Sequence, residues 1–399
     1  MLFEMLLLIF NFLLFIITIN FVLLLVNCRE GQFIDNKTNT ETKITSKNLT
    51  ELDDKELLKI TTKIDKLLSK SVKENEPGLA ILVAKDSRVI YRKGYGLANL
   101  EDETPVKGDT IFYTASVSKQ FTAMAIMILA EAGKLSYDDP LTKFFPKFPD
   151  YANKITVKHL LYHTSGLPDY IEVFKNKEKI LDSVTATKKA VEILSKQMEL
   201  DFAAGTKHEY SNSGYLVLAG IVEQASGESF PEFVKEKIFQ PLEMKESFVV
   251  TTSKDLPEKL ARGYKLKNSN YQDVKFGENP LDLCYGDGGI LTSVQDMYKW
   301  DQALYTEKLV KADTLKLAFT NGMLDDGRKI DSEGEGYGFG WVISDLVGQE
   351  LITHSGSWYG WATVISRVPS KKLSVVIFAN TDEIDVSDIS LKVAKMFLK

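Results

Sequence analysis

The chain has 399 residues, 44% of them hydrophobic and 26% charged, which suits one large globular domain or two modest ones. Its net charge of −6 leaves no basic excess to neutralise phosphates and excludes nucleic acid as the main partner. Only Cys28 and Cys284 are present, and the four histidines lack HExxH-type spacing, so a disulfide framework is excluded and neither metal nor organic cofactor is expected. From Met5 to Val26 the chain is apolar apart from Asn11, Thr18 and Asn20. About 20 such residues suffice to span a bilayer. Glu4 stands where a secretory signal carries positive charge, and Leu25-Val26-Asn27-Cys28 loosely matches a lipoprotein processing box. Residues 1–28 therefore read as a signal or a membrane anchor, with lipidation at Cys28 left open. Residues 29–50 are rich in Asn, Thr, Lys and Glu and read as a polar tether. They carry two glycosylation sequons, at Asn36 and Asn48. Residues 51–399 then form the working domain, outside the cytoplasm or at a membrane.

Leu52 to Lys73 carries Leu57, Leu58, Ile60, Ile64, Leu67 and Leu68 at helical spacing. Gly78–Ala84 and Arg88–Gly96 read as two strands of a hairpin turned by Lys85-Asp86-Ser87. A helix beginning near Ser116 has Phe121, Met124, Ala125, Ile128, Leu129 and Ala132 on one face, and Gly133 stops it. Further helices are expected near 156–162, 184–198, 214–226 and 229–238. Strands return at Gly338–Ser344, Glu350–His354, Trp361–Val368 and Leu373–Asn380, followed by a helix over Asp385–Leu398. The pattern predicts an α+β fold. One antiparallel sheet is built from both chain ends and flanked by helices, with a mainly helical lobe inserted at about 120–284. The cleft between sheet and lobe is where a site is expected.

Three short stretches carry chemistry. Ser116 and Lys119 are three residues apart, on one helix face. The helix N-terminus beneath them offers backbone N–H groups to negative charge, so one turn could supply a nucleophile, a proton acceptor and an oxyanion donor; an N-cap serine followed by a solvated first-turn lysine is the competing reading. In His208-Glu209-Tyr210-Ser211-Asn212-Ser213-Gly214, an extended backbone would aim Tyr210 and Asn212 the same way. A turn capping the next helix is the competing reading. Leu351–Ser357 reads as a strand ending in small residues, and His354-Ser355-Gly356-Ser357 would let a substrate approach its edge. Trp358, Tyr359 and Trp361 are either core aromatics or a pocket rim. His159 and His163 share a helix face, but no acidic partner is evident nearby, so a structural turn is preferred over a metal site.

Ser-x-x-Lys, Tyr-x-Asn and His-x-Gly, in that order, resemble the serine β-lactamase and penicillin-binding superfamily. Tyr210-Ser211-Asn212 is similar to its class C branch. So are Val157–Leu167, Pro241-Leu242-Glu243-Met244, Gly288–Ser293 and Tyr337–Trp341, and the likeness runs from about Glu76 to the C-terminus. The resemblance implies a β-lactamase/transpeptidase-like fold with Ser116 as the acylated nucleophile. Lys119 and Tyr210 match the pair that moves its proton, and Asn212 the group that steadies the substrate. The backbone N–H groups of Ser116 and Ser357 match the oxyanion hole. His354, Ser355, Gly356 and Ser357 match the substrate-binding strand, but His354 stands where a class C β-lactamase has lysine. The resemblance therefore implies a serine hydrolase acting on an ester, a D-amino-acid peptide or amide, or a β-lactam, the last ranked below the others. A surface receptor that binds or is acylated by peptidoglycan fragments without turnover is the alternative. The expected partners are a small-molecule or peptide substrate and, through residues 1–28, a membrane.

Overall fold

The computed structural model of the chain describes residues 54–174 and 182–398. The leader, Cys28, the tether and the sequons lie outside these residues. Among the described residues, no helix is long and apolar enough to cross a membrane.

Seven strands form the main sheet: β1 (Leu79–Lys85), β2 (Arg88–Tyr95), β3 (Gly336–Tyr337), β4 (Val342–Leu346), β5 (Gln349–Trp358), β6 (Trp361–Val368) and β7 (Leu373–Ala379). Their order is β3-β4-β5-β6-β7-β1-β2, and every pairing is antiparallel. The two chain ends meet at β1 and β7, where Leu79 faces Ala379 and Lys85 faces Leu373. LAILVA, WATVISRV and LSVVIFA are buried along their length. Such unbroken runs replace the alternation of a half-solvated strand because both faces of the sheet's centre are covered. The expected strand at Gly338–Ser344 is corrected. Only residues 342–344 of it are strand, within β4; Gly338 and Gly340 lie close against the Ala318 carbonyl and the backbone at Gln120, so residues 338–341 form the turn that joins β3 to β4.

The helices that matter here are α1 (Asp54–Ser71), α2 (Lys119–Glu131), α3 (Val157–Leu161), α4 (Ser183–Leu194), α5 (Asn212–Ser226), α6 (Phe230–Val234), α7 (Val294–Ala303) and α8 (Val386–Lys395). α7 packs on β1 and β7, and α8 on β6 and β7. In α1 the buried positions are Ile60, Ile64 and Leu68, a strict four-residue repeat, while Leu58 is exposed, contrary to the expected face. α2 also departs from its expected single face. Ala123, Ile126 and Met127 are buried together with Phe121 and Met124, and Ala132 is exposed. α2 packs against α5, and the 3-10 turn that leads into it, Ala115–Ser118, packs against β5 and β6, so it is enclosed nearly all round. The inserted block is less purely helical than expected. Phe112–Tyr113, Ile290–Thr292 and Phe248–Val249 form a three-stranded sheet, and Tyr264–Lys267 pairs with Asn270–Asp273. Strands of two to four residues are too short to show a period in sequence.

Candidate active site

Ser116 lies in the 3-10 turn Ala115–Ser118, immediately before α2. Ala115 has φ of +46°, a left-handed conformation that costs a non-glycine residue roughly 1–3 kcal/mol. The surroundings impose it. The Thr114 side chain donates to the Ile290 carbonyl at 2.9 Å, and the Ile290 N–H donates to Ser118 Oγ at 3.2 Å. Thr363 on β6 donates to the Thr114 carbonyl at 2.8 Å. Gly356 lets β5 close on the same turn, because a Cβ there would lie 2.4 Å from the Thr114 oxygen and 2.9 Å from the Ser116 nitrogen.

Lys119 is fully buried. Its Nζ donates to Ser116 Oγ at 3.1 Å, to Asn212 Oδ1 at 2.9 Å and to the Asp287 carbonyl at 3.0 Å. Three donors meet three acceptors, which is the full capacity of an ammonium. The amine also lies 4.8 Å from the centre of the Tyr210 ring, so it meets the aromatic face and gains from its quadrupole.

The Tyr210–Asn212 segment is not a strand. Asn212 opens α5, and Ser211 caps that helix by accepting from the Gly214 N–H at 3.3 Å. Capping, rather than strand alternation, therefore aims Asn212 at Lys119. Its amide nitrogen donates in turn to Asp169 Oδ2 at 3.2 Å. His163 holds the segment from behind. Its Nδ1 accepts from the Ser211 N–H at 3.0 Å, and its ring lies 4.4 Å from that of Tyr210. Burial, with the nearby Lys119 charge, holds His163 well below the usual imidazole range, so it stays neutral. His159 does have an acidic partner, though not one nearby in the sequence. Its Nε2 lies 3.1 Å from Asp325, a residue too distant in sequence to be read locally. Among the described residues no cluster suits a metal ion.

A cavity of about 440 Å³ joins these groups to the sheet, with Ser116, Tyr210, Asn212, His354, Ser355 and Ser357 on its walls. The structure thus brings together the residues that the sequence singles out, with Gly356 serving as backbone spacing behind them. His354 is buried and both ring nitrogens are engaged. Nδ1 lies 2.7 Å from the Ser355 carbonyl and Nε2 lies 3.0 Å from the Tyr337 hydroxyl. Burial first, and then the Lys119 charge, push its pKa down to about 3. A neutral imidazole with no free N–H offers a substrate shape but no positive charge. Of the aromatics at and after the end of β5, Trp358 lines the cavity, Trp361 is core and Tyr359 is exposed.

Sequence reasoning missed Asp287. It lies in Gly286-Asp287-Gly288-Gly289 on the cavity wall and is 7% exposed. Its carboxyl accepts from the Tyr170 hydroxyl at 3.2 Å and 3.3 Å to the two oxygens. Burial pushes its pKa up to about 6 against the opposing pull of Lys119. An aspartate among glycines just before a buried strand was the available signal. Thr122 on α2 donates to the Gly286 carbonyl at 2.7 Å, which ties this loop beside the nucleophile.

A family model described as "Beta-lactamase" matches residues 64–395. Penicillin-binding protein 4* of Bacillus subtilis is 32% identical over 76% of this chain and 68% of its own length. A D-aminopeptidase of Gluconobacter oxydans is 26% identical over 76% of this chain, which spans only 56% of that protein. The octameric penicillin-binding protein homologue of Pyrococcus abyssi superposes with a TM-score of 0.73 at 30% identity, covering 85% of this chain and 77% of that one. The fold is β-lactamase/transpeptidase-like, and the chain belongs to the β-lactamase family of serine hydrolases.

Proposed function

We propose that Ser116 is acylated by a small ester or by a D-amino-acid amide or peptide, and that water then releases the acid. The observation that carries this reading is the 3.1 Å contact between Lys119 Nζ and Ser116 Oγ inside the cavity. Lys119, Tyr210 or both take the hydroxyl proton as Ser116 Oγ bonds to the substrate carbonyl carbon. The proton passes to the departing nitrogen or oxygen as its bond to carbon breaks, with Tyr210 at the cavity wall as the second proton carrier. Water adds to the acyl-serine, gives its proton back through the same pair and frees the carboxylic acid. The N–H groups of Ser116 and Ser357 hold the oxyanion; one such donor is worth roughly 3–4 kcal/mol. Asn212 steadies the substrate while positioning Lys119. The D-aminopeptidase relative supports the amide arm of the reading. The neutral His354 disfavours β-lactams as the main substrate, because a β-lactam's carboxylate would find no cation on that strand.

Residues 51–399 are taken as this hydrolase, delivered beyond the cytoplasm by residues 1–28, on the strength of the Met5–Val26 apolar run. A fluorophosphonate probe should label Ser116, and Ser116→Ala should lose both labelling and ester turnover. Well-folded protein that is not labelled, with Ser116→Ala as active as the parent, would sink the reading. Intact mass after addition of substrate decides against the receptor alternative if the acyl-enzyme decays.

A further inference from the structure

We propose that Asp287 selects substrates with a free amine beside the scissile carbonyl, by receiving their ammonium group on its carboxylate. The preferred acyl group is then an aminoacyl cation rather than a neutral or anionic one. This rests on the hydrolase reading above and deepens it.

Asp287 is beside the chemistry. Its backbone carbonyl and Ser116 Oγ share the same Lys119 nitrogen, at 3.0 Å and 3.1 Å. Asp287 lines the same cavity as Ser116. Among the described residues, the groups that donate to its carboxyl are the Tyr170 hydroxyl and its own backbone N–H. An ionised carboxylate has about four acceptor sites, so capacity remains for a ligand. Gly286, Gly288 and Gly289 flank it and bring no side chain to cover it. Lys119 does not neutralise it directly, since its three protons go to a hydroxyl, an amide oxygen and a backbone carbonyl.

Apart from the backbone N–H groups that receive the oxyanion, the cavity walls offer no cation to an anion. Among the described residues that line it there is no lysine or arginine. His354 has both nitrogens occupied. Asp169, bonded to Asn212, adds a second negative charge nearby. A buried carboxylate without a directly bonded counter-ion is costly. A substrate ammonium supplies that counter-ion, whereas a substrate carboxylate meets repulsion.

The test compares D-alanine p-nitroanilide with isobutyric acid p-nitroanilide, in which a methyl group replaces the ammonium. The parent enzyme should favour the first in kcat/KM. Asp287→Asn should cut that preference roughly 10- to 100-fold, the range for a hydrogen bond to a charged group. Equal losses on both substrates would show that Asp287 acts through Lys119 and would overturn the proposal. An absence of preference in the parent enzyme overturns it without any variant. Fluorophosphonate labelling of Ser116 in both proteins reports folding and separates the two ideas. Labelling without substrate preference sinks the role of Asp287 alone, and absence of labelling in the parent sinks the hydrolase reading with it.

Discussion

Two buried cations in this molecule are treated in opposite ways. Arg367 on β6 is closed off. Its Nε donates to Asp301 at 2.6 Å, Ser374 donates to the same oxygen at 2.5 Å, and the guanidinium lies 4.7 Å from the Tyr305 ring centre and 5.3 Å from that of Phe319. Lys119 is equally buried, and a buried carboxylate lies close by, yet the two side chains do not bond. Lys119 takes the backbone carbonyl of Asp287, and the Asp287 carboxyl takes Tyr170. A direct ion pair would hold the lysine in its charged form and would fill the carboxylate. On the reading proposed above, keeping them apart leaves one group able to exchange a proton and the other able to take a ligand. A buried pair serves structure when its charges cancel on contact, and serves chemistry when they are kept from doing so.

Substitutions can break that contrast. Lys119→Met should slow fluorophosphonate labelling of Ser116 by about a thousandfold or more, the scale seen when one member of a catalytic unit is lost. A rate within tenfold of the parent would remove Lys119 from the chemistry. Asp301→Ala should do the reverse. It strands Arg367 and costs about 3–5 kcal/mol of stability in denaturant titration, while the folded fraction is labelled at the parent rate. If labelling slowed as much as in Lys119→Met, the two regions would not be separable.

Asp287→Asn should stabilise the protein at neutral pH. The folded pKa of about 6 lies above the unfolded value of about 3.9. The folded state therefore binds this proton more tightly, and the ionised group costs stability above pH 6. The cost fades as pH falls from 6 towards 4. The variant should gain up to about 3 kcal/mol at pH 8 and nothing at pH 4. An equal gain at both values would mean that Asp287 is not a strained carboxylate. The smallest effect is expected from Tyr337→Phe, which leaves His354 Nε2 buried without its donor and should cost about 1–2 kcal/mol in melting experiments. No change in the melting point would show that water reaches that nitrogen.

Much of the fold was legible because it repeats. The hairpin at β1 and β2, the unbroken runs at β6 and β7, and the amphipathic α1 and α8 are each long enough to show a period or its absence. Ser116, Lys119, Tyr210 and Asn212 were legible as short local motifs. The geometry behind Asn212 was not, since a helix cap and an extended turn use the same Ser-Asn-Ser-Gly letters and only packing against His163 distinguishes them. Asp287, Tyr170 and Asp169 were missed for a different reason. They lie 171, 54 and 53 positions beyond Ser116 in numbering, and each acts through partners that no local pattern connects.

By itself, the sequence determined which elements form and which side chains carry reactive atoms, because propensity, patterning and functional groups are local properties. Tertiary structure decided the electrostatics. Lys119 meets three oxygens from three separate segments, His354 loses its charge through burial, and burial raises the pKa of the Asp287 carboxyl against the pull of Lys119. Burial and charge proximity exist only once distant segments have packed together.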